Sequence, residues 1–119
     1  MVKVHVIKFL DSENTEALLE LLCDEITLLA YCYPFDGILP DGHVTLFSNF
    51  TSNLAICKEW FPPQKLPGLF FAQRICGELI DLQKRIARIG EIDIVLNAPL
   101  PDNIQIGSLV TFDTIRLDL

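Results

Sequence analysis

Two histidines, four cysteines and sixteen carboxylates are the groups in this 119-residue chain with the means for acid–base, nucleophilic or metal chemistry. His5 lies between Val4 and Val6, so on a strand it points away from the valine face. An imidazole titrates near pH ~6.5 and can serve as a general base at neutral pH. Lys3 sits two residues earlier, and Arg85 and Arg88 form a basic cluster further along the chain. Lys3, His5, Arg85 and Arg88 are therefore the residues best suited to hold a polar ligand at a subunit boundary. The ordinary alternative for His5 is a half-exposed strand histidine. His43 follows a turn, and nothing in the spacing pairs it with His5.

The carboxylates offer no convergent pair of the kind acid–base catalysis requires. Asp24 and Glu25 are adjacent and would diverge on a helix, Asp36 and Asp41 flank a loop, and Asp113 and Asp118 alternate to opposite sides of a strand. The sequence lacks G-x-S-x-G, a P-loop, G-x-G-x-x-G and H-E-x-x-H. Ser12, Ser48, Ser52 and Ser108 occupy caps, strand ends and turns, where a hydroxyl already has a structural use. Cys23, Cys32, Cys57 and Cys76 are widely spaced with no C-x-x-C, which reads as reduced, mostly buried thiols rather than a zinc site. No metal or cofactor is expected, no residue can be named catalytic, and whether the chain is an enzyme stays open.

The elements that would position these groups follow from periodicity. Residues 2–10 read as a strand. Asp11-Ser12-Glu13-Asn14 supplies N-cap candidates for a helix over 15–23, a stretch rich in strong helix formers. Residues 26–33 fit either a helix or a buried strand; β-branched and aromatic content favours the strand. Asp41-Gly42 marks a tight turn before a strand over 43–50. Thr51 or Ser52 would cap a short helix over 53–61, ended by Pro62-Pro63, and 62–68 is a stiff connector. From 69 to 89 the apolar residues Ala72, Ile75, Leu79, Leu82, Ile86 and Ile89 recur at steps of three and four, the spacing of a helix stripe, with Gly90 as its stop. Strands are expected at 91–96 and 108–119. This order predicts a single α+β domain over 1–119, a ferredoxin-like β-α-β-β-α-β arrangement with an extra C-terminal strand and a mainly antiparallel sheet.

Composition limits the function classes. The net charge of −7 comes from nine basic against sixteen acidic residues and argues against general nucleic-acid binding, which draws affinity from Lys and Arg neutralising phosphates. The first ten residues are broken by Lys3, His5 and Lys8 and do not read as a secretory signal, and no run is long and apolar enough to span a membrane. A cytoplasmic location is the expectation. Apolar residues fall on both faces of several strands: Ile7 and Phe9 oppose the valines, and Val110 and Phe112 oppose Leu109, Ile115 and Leu117. Such a surplus needs a cover, either a second chain or the connector 62–68 with Trp60, Phe61, Leu66, Phe70 and Phe71. The leading expectation is a cytosolic protein-binding or self-assembly module, a homo-oligomer or partner of another protein, acting through an apolar sheet face or edge. The alternative is a small enzyme or ligand-binding regulator with its site at a subunit boundary.

Overall fold

The computed structural model describes residues 2–40 and 42–119, and among them there is no helix. Nine strands follow one another: β1 (Lys3–Phe9), β2 (Ala17–Cys23), β3 (Ile26–Cys32), β4 (Val44–Ile56), β5 (Gln64–Lys65), β6 (Gln73–Asp81), β7 (Ile86–Ile89), β8 (Ile92–Val95) and β9 (Leu109–Asp118). They form one sheet in the order β1-β2-β3-β9-β4-β8-β7-β6-β5, and β6 pairs back onto β9. That extra pairing closes β9, β4, β8, β7 and β6 into a five-stranded barrel, with β1–β3 attached as an antiparallel meander. The chain is all-β, which overturns the α+β, ferredoxin-like expectation. The expected turn at Asp41-Gly42, and the Asp36–Asp41 pair, involve Asp41 and so lie outside the described residues.

Each predicted helix fails for a physical reason. Residues 15–23 contain β2, whose Ala17, Leu19, Leu21 and Cys23 enter the main core while Leu18 is buried on the other face. A strand covered on both sides reads as a continuous apolar run, and burial there outweighs the helix preference of leucine. The capping cluster closes a β-connection instead: Asp11 Oδ1 accepts the N–H groups of Thr15 and Glu16, both at 2.9 Å. The predicted long helix is a hairpin. Ile75, Gly77 and Leu79 on β6 alternate into the barrel, a turn spans 82–85, and Ala87 and Ile89 resume the alternation on β7. Two period-2 segments joined by that turn imitate a spacing of three and four. Residues 53–61 begin as the second half of β4, which bends where Phe50 and Asn53 take positive φ.

The strands expected at 2–10, 26–33, 43–50, 91–96 and 108–119 all form, as β1, β3, the first half of β4, β8 and β9. Two glycines are required by space. A Cβ on Gly77 would meet the Arg88 carbonyl oxygen at 3.1 Å. Gly90 has φ +60 in the two-residue turn between Ile89 and Ile92, and a Cβ there would lie 2.7 Å from Cys23 Sγ. The barrel interior is filled by Val44, Leu46, Ile75, Ile94, Val110 and Phe112, all nearly or fully excluded from water. Full burial of side chains of this size contributes about 1.5–3 kcal/mol each.

The meander joins the barrel by few backbone bonds. The β3–β9 pairing is a single parallel contact, Tyr31 with Asp118, reinforced by the Leu119 N–H donating to Tyr31 O at 2.9 Å. Gln73 adds a side-chain link to the seam. Its side-chain amide, 3% exposed, accepts from Leu29 N–H at 3.1 Å and donates to Leu29 O at 2.9 Å. A side chain thus pairs with β3 where a neighbouring strand is missing.

Candidate functional site

The polar groups on the outside of the barrel are arranged in cross-strand rows. Register places Thr45, Asp93, Arg88 and Glu78 side by side across β4, β8, β7 and β6. Arg88 grips Asp93 with two bonds, Nε to Oδ1 at 2.7 Å and a terminal nitrogen to Oδ2 at 3.2 Å. His43, just before β4, adds its Nε2 to Asp93 Oδ2 at 2.8 Å. Burial pushes the Asp93 carboxyl up, but the hydrogen bonds from Arg88 and His43 outweigh it and hold the group below the usual aspartate range. A second row pairs Arg74 with Asp113 at 2.7 and 3.1 Å, and Asn53 Nδ2 also donates to Asp113 at 2.7 Å. The Arg74 hydrogen bond lowers the Asp113 pKa, against burial, with help from Asn53. A third pair joins Arg116 to Asp118 at 2.6 and 3.1 Å. Asp93 and Asp113, held as anions by guanidinium groups on the neighbouring strands, serve as structural cross-strand ties and make poor proton donors, whereas the Arg116–Asp118 pair lies within β9.

The ligand-binding candidates are dispersed. Lys3 is exposed on β1, and His5 binds Glu20 of β2 at 2.8 Å. Arg85 sits in the 82–85 turn with φ 57, where its guanidinium donates to Ala98 O at 3.3 Å. Arg88 is held by Asp93 on β7. The structure brings neither arginine to β1, which lies across β2, β3, β9 and β6 even by the shorter way round the barrel. The cluster that does form, His43–Asp93–Arg88, escaped sequence reasoning. Reading Arg88-Ile89-Gly90-Glu91-Ile92-Asp93 as a two-residue hairpin places Arg88 opposite Asp93, and that is the signal that would have found it. Among the described residues no three His, Cys, Asp or Glu side chains converge to hold a metal ion, and the surface has no enclosed cavity.

The apolar surplus is partly covered from within. Lys8, Leu18 and Tyr31 form one row across β1, β2 and β3. The segment before β6 lies over this row: Lys8 Nζ is 4.9 Å from the Phe70 ring centre, Phe70 stands edge-on to Phe71 at 5.3 Å, and Phe71 edge-on to Tyr31 at 5.8 Å. Leu18 beneath it is 2% exposed. Arg116 extends the stack, its guanidinium 4.2 Å from the Tyr31 ring centre.

Beyond Tyr31 no aromatic ring among the described residues stacks on the same row. It continues through Asp118 of β9, Phe47 of β4, Val95 of β8 and Ile86 of β7. Phe47 is 55% exposed. Three residues on, Phe50 is 65% exposed and held at φ 57. The β4–β9 ladder passes from Asn49–Arg116 to Thr51–Thr114, skipping Phe50, whose register partner Ile115 is also exposed. Beneath this bend the Ser48 hydroxyl bonds to those of Thr51 and Thr114, both at 2.7 Å, so the kink is stitched from the inside. The free edge of β1 is guarded by Lys3, Lys8 and a bulge at Ile7, devices that discourage strand addition. Comparison with protein-family models, with curated proteins and with solved structures finds no match in any of the three.

Proposed function

We propose that this chain is a protein-binding module that self-associates, as a dimer or larger, through the apolar outer surface of β4 and β9. The observation that carries this reading is Phe50, a bulky side chain in the left-handed region, where a non-glycine residue costs about 1–2 kcal/mol, yet with most of its surface in water. An unfavourable backbone state that turns an aromatic ring outward suits a surface meant to be covered. Phe47 and Ile115 extend that surface along the two central strands. The face is favoured over the β1 edge because the edge carries lysines while the face presents exposed Phe47, Phe50 and Ile115. The polar ligand site reading draws less support, since His5 and Arg88 are each engaged by a carboxylate and lie on separate parts of the sheet.

A cytoplasmic setting fits the four free cysteines. Among the described residues no helix is long and apolar enough to cross a membrane. The net charge of −7 continues to argue against nucleic acid as a general partner. Light scattering on a chromatographed sample across a dilution series tests the reading. A mass that falls from a multiple of the 13.4 kDa chain toward a single copy supports it, and a single-copy mass throughout the series counts against it.

A further inference from the structure

Two cysteines far apart in sequence meet over the outside of the barrel. Cys57 follows β4, where its N–H donates to Leu109 O at 2.8 Å. The chain then crosses outside β9 to reach the far edge of β6, where it pairs as β5. Within that crossing, Glu59 O accepts from Cys57 Sγ at 2.9 Å and lies 4.0 Å from Cys76 Sγ. Sharing one acceptor limits the two sulfurs to less than the sum of those lengths. Cys76, opposite Thr111 on the outward side of β6, is buried beneath the crossing, while Cys57 is half-exposed. Burial pushes the Cys76 thiol up; a backbone bond from Phe61 opposes this, and the neighbouring Cys57 adds to it.

We propose that Cys57 and Cys76 form an oxidisable dithiol that reacts with low-molecular-weight disulfides such as glutathione disulfide. Cys57, the accessible member, loses its proton to solvent and attacks one sulfur of the disulfide, expelling one glutathione thiolate. Cys76 then deprotonates and attacks Cys57 Sγ, which releases the second glutathione and leaves an internal Cys57–Cys76 bond. Two protein thiols are oxidised and one small disulfide is reduced to two thiols, so electrons and protons balance. The product ties the 57–63 crossing to β6. Cys32 is the internal control: it is also half-exposed, but its sulfur faces Pro34 O at 3.9 Å and shares no acceptor with a second thiol.

The test is to incubate the folded protein with excess glutathione disulfide, quench with acid, alkylate, and map peptides by mass spectrometry. The wild type should yield a peptide crosslinked between Cys57 and Cys76, with Cys32 either alkylated or carrying glutathione. Cys76→Ala should trap glutathione on Cys57, and Cys57→Ala should leave Cys76 unmodified while the protein is folded. The same treatment in urea should erase the preference for the 57–76 pair. An unreactive Cys57, or a wild type that retains glutathione on Cys57 as fully as Cys76→Ala does, overturns the proposal.

Discussion

Replacing Gln73 with methionine keeps the length of the side chain and removes both side-chain hydrogen bonds by which β6 holds Leu29 of β3. Leu29 would keep a backbone N–H and C=O with no partner, at a position only 7% exposed. A buried polar group left unpaired costs about 1–3 kcal/mol. Water reaching a loosened seam would relieve part of that, and methionine escapes the desolvation that the amide bears. The expected net loss is roughly 3 kcal/mol, a large share of the ~5–15 kcal/mol that stabilises a typical domain. Urea unfolding followed by circular dichroism and by the fluorescence of Trp60, the one tryptophan, measures it. Amide exchange locates it: the Leu29 N–H should lose protection by a larger factor than amides in β6 or β9. A midpoint within about 0.5 kcal/mol of wild type, the range of an ordinary surface change, would refute the idea that this amide stands in for a missing strand. A reduced urea slope with retained barrel signals would show instead that the meander detaches first.

Other outcomes follow from the same geometry. Gly90→Ala should destabilise by roughly 3 kcal/mol in the same urea assay, since it joins an unfavourable φ to a clash with Cys23 Sγ. Phe50→Gly should leave stability unchanged or raise it by about 0.5 kcal/mol, because relief of the left-handed backbone offsets added chain entropy, while it weakens self-association. The lowered pKa values of Asp93 and Asp113 contribute stability that is present above the unfolded aspartate value and lost as pH falls through the native ones. The urea midpoint should therefore drop below about pH 4, and Asp93→Asn with Asp113→Asn should flatten that drop. Arg88→Ala should cost roughly 1–2 kcal/mol at neutral pH, because Asp93 keeps only His43, and Arg88→Ala with Asp93→Asn should recover part of it.

What the sequence disclosed and what it hid divide along one physical line. Strands in which polar residues alternate with apolar ones show their period, and β1, β8 and β9 were legible for that reason. The run Leu18-Leu19-Glu20-Leu21-Leu22 was not, because β2 is buried along one face and half-buried to buried along the other, and its composition suits a helix equally well. The segment 72–89 misled more deeply. Its apolar spacing matches a helix stripe only because a four-residue turn joins two alternating strands, and Gly77 in mid-run, with Ile75, Ile80 and Ile86, was the counter-signal. The His43–Asp93–Arg88 cluster and the Cys57–Cys76 approach depend on the barrel closing, a long-range event that local spacing does not encode. The apolar surplus was legible as an excess, but its division was not. Phe70 and Phe71 cover the meander side, and Phe47, Phe50 and Ile115 stay in water.

The most direct test of the account is sedimentation equilibrium of the wild type beside Phe47→Ser/Phe50→Ser and an Ile106→Ser control, an exposed apolar residue in the 97–108 connection. Central aromatic contacts commonly carry 2 kcal/mol or more of an interface, so the double change should raise the dissociation constant by about 30-fold or more. The control should match the wild type. A wild type that sediments as one 13.4 kDa chain at every concentration, or a double variant that associates as strongly as its parent, would contradict the account.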